Sequence, residues 1–325
     1  DKVNDNFANF KIEGTNFTSS ILIGHSTTGT LNAATGNTGV GIAALDAITT
    51  GDYNTAVGNL AGTAITTGES NTLVGPFAGF VLVGGNANVA VGRSALASED
   101  GHGKNIAIGF SALNTLNAGV DSHNIAIGYN AGLSISTAVR NTLVGNFAGD
   151  ALTTGLYNVA IGYSALSTED AHGRNVAIGY EALNTQNAGA DAYNVAIGYN
   201  AGKAVTTGIE NTLVGGEAGD ALTIGNYNVA LGRGALSTSV DGDYNTAIGY
   251  KALEDYEDGD GNGHNTAVGA NSQLNATTGE FNTSLGSSSM GSGVTTGDDN
   301  VAIGHGCGAS ISSGSSNVLV GKNAG

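Results

Sequence analysis

The strongest case for chemistry in this chain lies in one acidic, Gly-rich run, Glu254-Asp255-Tyr256-Glu257-Asp258-Gly259-Asp260-Gly261-Asn262-Gly263. Asp258, Asp260, Asn262 and Gly263 reproduce the Asp-x-Asp-x-Asn-Gly opening of a calcium loop, in which alternating oxygen ligands surround a hard cation. The twelfth position is Gly269, where such a loop needs a bidentate Glu, so the match is partial. Asp258, Asp260 and Asn262 are therefore candidate Ca2+ ligands, set against a solvated acidic loop. No other cofactor is expected.

The six His residues include one pair, His102 and His172, spaced 70 residues apart, and both are expected in solvent-exposed turns. Glu99-Asp100, Asp121, Glu169-Asp170, Asp191 and Asp241-Gly-Asp243 fall between the candidate strands and are expected on the outside. A glycoside hydrolase needs two carboxylates about 5 to 9 Å apart across a groove, and turns this short offer little cleft. The chain has no Gly-x-Ser-x-Gly, P-loop or His-Glu-x-x-His pattern, so no enzyme is expected. Cys307 stands in a column of small residues and reads as a packed substitute for Ala.

These residues are carried by a tandem repeat. Asn-x-x-aliphatic-Gly recurs seventeen times between Asn37 and Asn317, mostly every 17 residues, and Ser20-Ile-Leu-Ile-Gly24 is a degenerate earlier copy. A longer period of 70 residues lies above it, visible in Leu73, Leu143 and Leu213, and indicates duplication of a four-coil block. Val, Ile and Thr inside the motif, with Gly closing it every time, oppose helix and favour a short strand. Strands this short, each followed by Gly-containing turns such as Thr206-Thr207-Gly208, gain a buried face only by stacking coil on coil at about 4.8 Å. The repeat thus predicts an all-β fold: a parallel β-solenoid, or β-roll, of about 17 coils, forming a rod on the order of 80 Å long.

Each column has a physical role. Asn54, Asn71, Asn88 and their counterparts can hydrogen-bond to one another from coil to coil. Gly58, Gly75, Gly92 and their counterparts mark a positive φ or a backbone approach too close for a Cβ. Numbered from the Asn as zero, positions one and three share one face of the strand and position two takes the other. Position three, aliphatic in every copy from Val40 to Val320, is expected to form the inward ladder. Position two is also apolar, and a strand apolar on both faces is buried on both. The second face is therefore expected to meet another chain, and a homotrimer is the simplest closed arrangement for a fibre. The alternative is a single-chain solenoid whose two walls share the burial.

The array Asn-Val-Ala-Ile-Gly-Tyr-x-Ala, then Thr-Thr-Gly, then Asn again resembles the head repeats of YadA-like trimeric autotransporter adhesins. It is still more similar to the Asn-Thr-Ala-Val-Gly-Tyr-x-Ala-Leu arrays of phage tail-fibre and virion structural proteins. The likeness runs over residues 20 to 325 and implies a trimeric parallel β-roll; the 17-residue coil is longer than the adhesin repeat. Val3-Asn4-Asp5-Asn6-Phe7-Ala8 also looks like the opening of phage fibre domains. The resemblance implies a structural segment of a viral tail fibre or appendage, at the virion surface or otherwise extracellular. Its partners would be itself, other fibre or virion proteins, and a host cell-surface glycan or protein. A bacterial trimeric surface adhesin or extracellular filament is the alternative.

Composition fits this picture. Of 325 residues 54 are Gly, one is Pro, and 11% are charged, which suits a thin core of small side chains repeated many times. The net charge of −17 repels nucleic-acid phosphates and anionic lipid surfaces, so neither nucleic acid nor membrane is expected as a partner. Residues 1–19 lack the motif; Val3, Phe7 and Phe10 lie at helical spacing and predict a short capping or connecting helix ahead of the solenoid over 20–325. The sequence ends inside a coil at Asn323-Ala324-Gly325, so the natural protein is expected to continue.

Overall fold

The computed structural model describes residues 10–14, 17–23, 32–256 and 262–325, with side chains from residue 20 onward. The fold is the expected all-β parallel solenoid of about 17 coils, and no helix occurs among the described residues. The chain divides into two compact units, Asp1–Tyr157 and Asn158–Gly325.

The first unit opens with a hairpin. Strand β1 (Phe10–Gly14) pairs antiparallel with β2 (Phe17–Ile23), Ile12 opposite Ile21. Phe10 therefore begins a strand and does not complete a helix, while Val3 and Phe7 lie outside the described residues. The far half of β2 is the first coil. After a two-residue β3 (Ala34–Thr35), strand β4 (Thr38–Val40) lies parallel to it, with Ile21, Leu22 and Ile23 facing Thr38, Gly39 and Val40. Ser20 stands where later coils place Asn, and its Oγ accepts the Asn37 N–H at 2.8 Å. Three-residue strands then recur in parallel register to β10 (Thr142–Val144); Thr38 faces Thr55 and Val40 faces Val57. The second unit repeats the pattern from β11 (Val159–Ile161) to β20 (Val318–Val320), with Val159, Ala160 and Ile161 opposite Val176, Ala177 and Ile178.

The faces of the strand are the reverse of the expectation. Position two points inward: Ala56, Leu73, Ala90 and Ala160 are fully buried, while position three, from Val40 and Val57 to Ile303, lies at the surface or half-buried. The coil is too narrow to take a β-branched side chain at the strand, so the small residue goes in and Val, Ile and Thr go out. Where position two is Leu, space is made elsewhere. A Cβ on Gly62 would lie 2.7 Å from Leu73 Cδ1, and one on Gly79 would lie 3.0 Å from Leu73 Cδ2. Gly132 and Gly149 leave the same room around Leu143, and Gly202 and Gly219 around Leu213. In coils whose position two is Ala and which do not precede a Leu coil, position eight can be filled by a buried Leu, as at Leu96, Leu113 and Leu166. Interior density is thereby kept while the occupant moves between walls.

The rest of each coil is turn, built on residues in the left-handed region just before the Asn and at positions six and eight, such as Tyr53, Leu60, Phe77 and Leu96. None of these non-glycine residues is Val, Ile or Thr, the types for which left-handed backbone is most strained. Bonds between coils hold the conformation: Tyr53 N donates to Thr35 O at 2.9 Å, Leu60 N to Ile42 O at 2.8 Å and Phe77 N to Asn59 O at 2.9 Å.

Candidate functional site

The Asn column forms the expected ladder and does more than stack. Asn54 donates Nδ2 to Asn37 Oδ1 at 3.1 Å and to Gly68 O at 2.8 Å, and its backbone N–H reaches the same Asn37 Oδ1 at 2.9 Å. Asn71 repeats this on Asn54 and Gly85, and Asn88 N–H donates to Asn71 Oδ1 at 3.0 Å. Asn54 and Asn71 thus cross-link neighbouring coils and also close their own coil, fourteen residues on. Asn alone combines the acceptor and donor this needs on a side chain short enough to stay inside.

The Gly column meets both conditions expected of it. Gly58, Gly75 and Gly92 have φ of 140°, 128° and 135°. A Cβ on Gly58 would lie 2.6 Å from Gly75 C, and one on Gly75 would lie 2.7 Å from Gly92 C.

Outside, two kinds of column run along each unit. The first is the apolar strand face: Val57 is 38% exposed, Ile108 37% and Leu231 46%. The second is aromatic. Tyr227, Tyr244, His264 and Phe281 stack in sequence at 4.8, 4.8 and 4.9 Å between centroids, and Tyr163, Tyr180 and Tyr199 stack at 5.4 Å. Such stacks bury ring faces against one another and leave edges to water, which stabilises coil stacking by roughly 0.5–1.5 kcal/mol a pair but leaves few faces free to lie on a sugar. Ion pairs cross coils as well. Lys203 Nζ at 2.6 Å from Glu181 holds that carboxyl below the usual carboxylate range; Lys104 pairs with Asp121 at 2.6 Å, and Arg174 with Asp191.

In the second unit a groove of about 260 Å³ is lined by Glu217, Asp220, Arg233, Tyr250, Lys251 and Glu254. Two of its carboxylates are engaged by cations, Glu217 by Arg233 at 3.5 Å and Glu254 by Lys251 at 2.8 Å.

The candidate calcium ligands are only partly in view. Asp258 and Asp260 lie outside the described residues; the Asn262 carbonyl accepts a bond from the buried Tyr256 hydroxyl at 2.9 Å. Cys307 is buried as expected, beside Met290 and Ala302.

Two acids overturn their expectation. Glu99 and Glu169 are fully buried, not on the outside. They occupy position eleven, an inward column filled elsewhere by Ile48, Ile65, Leu82, Leu116, Ile135 and Leu152. Asp100 is exposed as expected. Burial pushes the Glu99 and Glu169 carboxyls above the usual range. His102 and His172 are not free in solvent either: Nδ1 lies 3.5 Å from Glu99 Oε1 in one copy and 3.7 Å from Glu169 Oε1 in the other, with side chains about one-third exposed. Reading position eleven as a column, with its alternation of Ile, Leu and Glu, would have placed these acids inside.

The fold puts the chain among parallel β-solenoids with one short strand per coil. No family model matches it, and no match is found among curated proteins. Among the described residues, no helix is long and apolar enough to cross a membrane.

Proposed function

We propose that this chain is a structural, non-catalytic fibre segment that assembles as a homotrimer in a viral tail fibre or similar appendage. It works outside the cell, on the virion, joined to other fibre or virion proteins, and offers its variable turns to a host-surface glycan or protein. The observation that carries this reading is the outward strand face. Val, Ile or Leu stands at position three in every coil although that face meets solvent in the single chain, as at Ile161, Ile197 and Ile303. An apolar stripe this regular is what a partner of the same periodicity covers, and a second and third copy of the chain supply that periodicity in register. Burying such residues contributes roughly 25 cal/mol per Å², so a shallow contact repeated along many coils becomes a stable one.

Sedimentation of the full chain tests the assembly. The expected result is a trimer at micromolar concentration, and a monomer for Ile161→Lys/Ile197→Lys with unchanged far-UV circular dichroism. A wild-type chain that sediments as a monomer at high concentration would sink the proposal. The Asn-Val-Ala-Ile-Gly array also favours a bacterial surface adhesin of the same architecture. Antibody labelling separates the two, decorating phage particles in one case and the bacterial envelope in the other.

A further inference from the structure

Glu99 and Glu169 present a problem that packing alone does not solve. Each lies in an otherwise mostly apolar inward column, and each has one oxygen accounted for: Glu99 Oε1 accepts the His102 N–H at 3.1 Å and Glu169 Oε1 the His172 N–H at 3.0 Å. The other oxygen, Oε2, is buried with no hydrogen-bond partner in either copy, and so is Nδ1 of the adjacent His. A buried carboxylate oxygen without a hydrogen bond, beside an imidazole nitrogen that stands 3.5 to 3.7 Å from the same acid's Oε1, is costly unless a proton or a cation binds there. Other large polar side chains in the column are partnered: Gln186 Oε1 accepts from Asn194 Nδ2 at 2.7 Å, and the Tyr256 hydroxyl donates to Asn262 O.

The third group is Asp100 or Asp170. One ligand atom from each of Glu99, Asp100 and His102 lies within 4.8 Å of the others, and the same holds for Glu169, Asp170 and His172. The ladder fixes the His backbone in both: Asn88 Nδ2 donates to His102 O at 3.2 Å and Asn158 Nδ2 to His172 O at 3.3 Å. These two bonds replace the usual ladder bond to a Gly carbonyl, so the His is held in place by the element that closes the coil.

We propose that Glu99, Asp100 and His102, and again Glu169, Asp170 and His172, each bind one divalent transition-metal ion, of which Zn2+ is the test probe. The donor set of one imidazole nitrogen and two carboxylate oxygens suits Zn2+, Mn2+ or Co2+, and is a poor cage for Ca2+, which takes six to eight oxygens. Binding through Nδ1 places the imidazole proton on Nε2. Three protein ligands leave a coordination position for water, so the ion serves as a clip between an inward column and an outer turn. This inference is independent of the fibre assembly and holds for a monomer as well as a trimer.

Titration of the metal-stripped full chain with Zn2+ in competition with a chromophoric chelator tests it. The expected stoichiometry is two ions per chain, falling to one in His102→Ala and to none in His102→Ala/His172→Ala. His is partly exposed, so these variants keep the fold. Glu99→Leu/Glu169→Leu, which installs the column's usual residue type, is expected to lose both ions while melting no lower than the metal-stripped wild type. Co2+ gives a second readout, visible ligand-field absorption that disappears in the double His variant. A wild-type chain that takes up no Zn2+, or two ions still bound by the double His variant, overturns the proposal.

Discussion

Replacing Asn211 by Ala tests the inference that the Asn column holds one coil to the next. The Asn211 backbone N–H donates to Asn194 Oδ1 at 2.8 Å and is untouched by the change. Three other bonds go: Nδ2 to Gly225 O at 2.8 Å, and from Asn228 both the backbone N–H and Nδ2 to Asn211 Oδ1, at 3.0 and 3.1 Å. Asn228 Nδ2 keeps its bond to Gly242 O at 2.7 Å, but the buried Asn228 N–H is left without an acceptor. Stranding that donor costs about 1–3 kcal/mol and each of the two remaining bonds about 1 kcal/mol, so the substitution should destabilise by roughly 3–5 kcal/mol. Asn211→Ser should cost only about half as much, because Ser20 shows that a hydroxyl in this column still accepts the N–H of the next coil. Contacts in a solenoid run between neighbouring coils, so the loss is local and is best read by hydrogen exchange. The Asn228 amide should exchange at least tenfold faster in the Ala variant, at about 1.4 kcal/mol per decade, with a smaller change in the Ser variant. Equal exchange in Ala and Ser variants, or a change within about 0.5 kcal/mol of wild type as at an ordinary surface position, would refute the reasoning.

Three further outcomes follow from the same geometry. Gly75→Ala places a Cβ 2.7 Å from Gly92 C at a φ of 128°, and should lower stability by roughly 3 kcal/mol or prevent folding, read by thermal melting. Tyr244→Ala removes two stacking partners at 4.8 Å, Tyr227 and His264, and should cost about 1–3 kcal/mol beyond the area it uncovers; a Tyr244→Phe variant should melt with wild type. Burial raises the Asp150 and Asp220 carboxyls above their ordinary value of 3.8, so folding favours their neutral forms. Their contribution is full below that ordinary value and is lost as pH rises through the raised one. Asp150→Asn/Asp220→Asn should therefore gain stability relative to wild type as pH climbs from about 4 toward 7, and a difference that stays flat with pH would show that burial does not govern these groups.

The fold was largely legible because one physical demand, stacking, acts on every coil alike and writes itself as columns. The Asn ladder, the Gly approach and the three-residue strands all follow from residue types repeated at fixed spacing, and Ser20 taking the Asn place shows that even a degenerate copy could be read. Which face of the strand is inside was not legible from alternation, since Ala at position two and Val or Ile at position three are both apolar. The volume exchange between positions two and eight settles it. Leu73, Leu143 and Leu213 each sit against Gly at position eight of their own coil and of the coil before, and only residues sharing one interior trade volume in this way. The left-handed turns had a similar signature, in columns that never hold a β-branched residue.

The candidate metal clusters were hidden for a different reason. An acid between two strands reads as a surface turn, because burying a charge is costly and most acids avoid it. In this fold the segment between strands is itself a wall of the coil, and one of its positions points inward. Glu99 and Glu169 occupy that position among Ile and Leu, with His three residues later and a ladder Asn binding the His carbonyl. Duplication explains why the arrangement occurs twice, but not why a buried acid persists in both copies where Leu would pack without penalty. The buried Oε2 and the nearby imidazole Nδ1, neither hydrogen-bonded in either copy, give that persistence a chemical reason, which Zn2+ stoichiometry puts to the test.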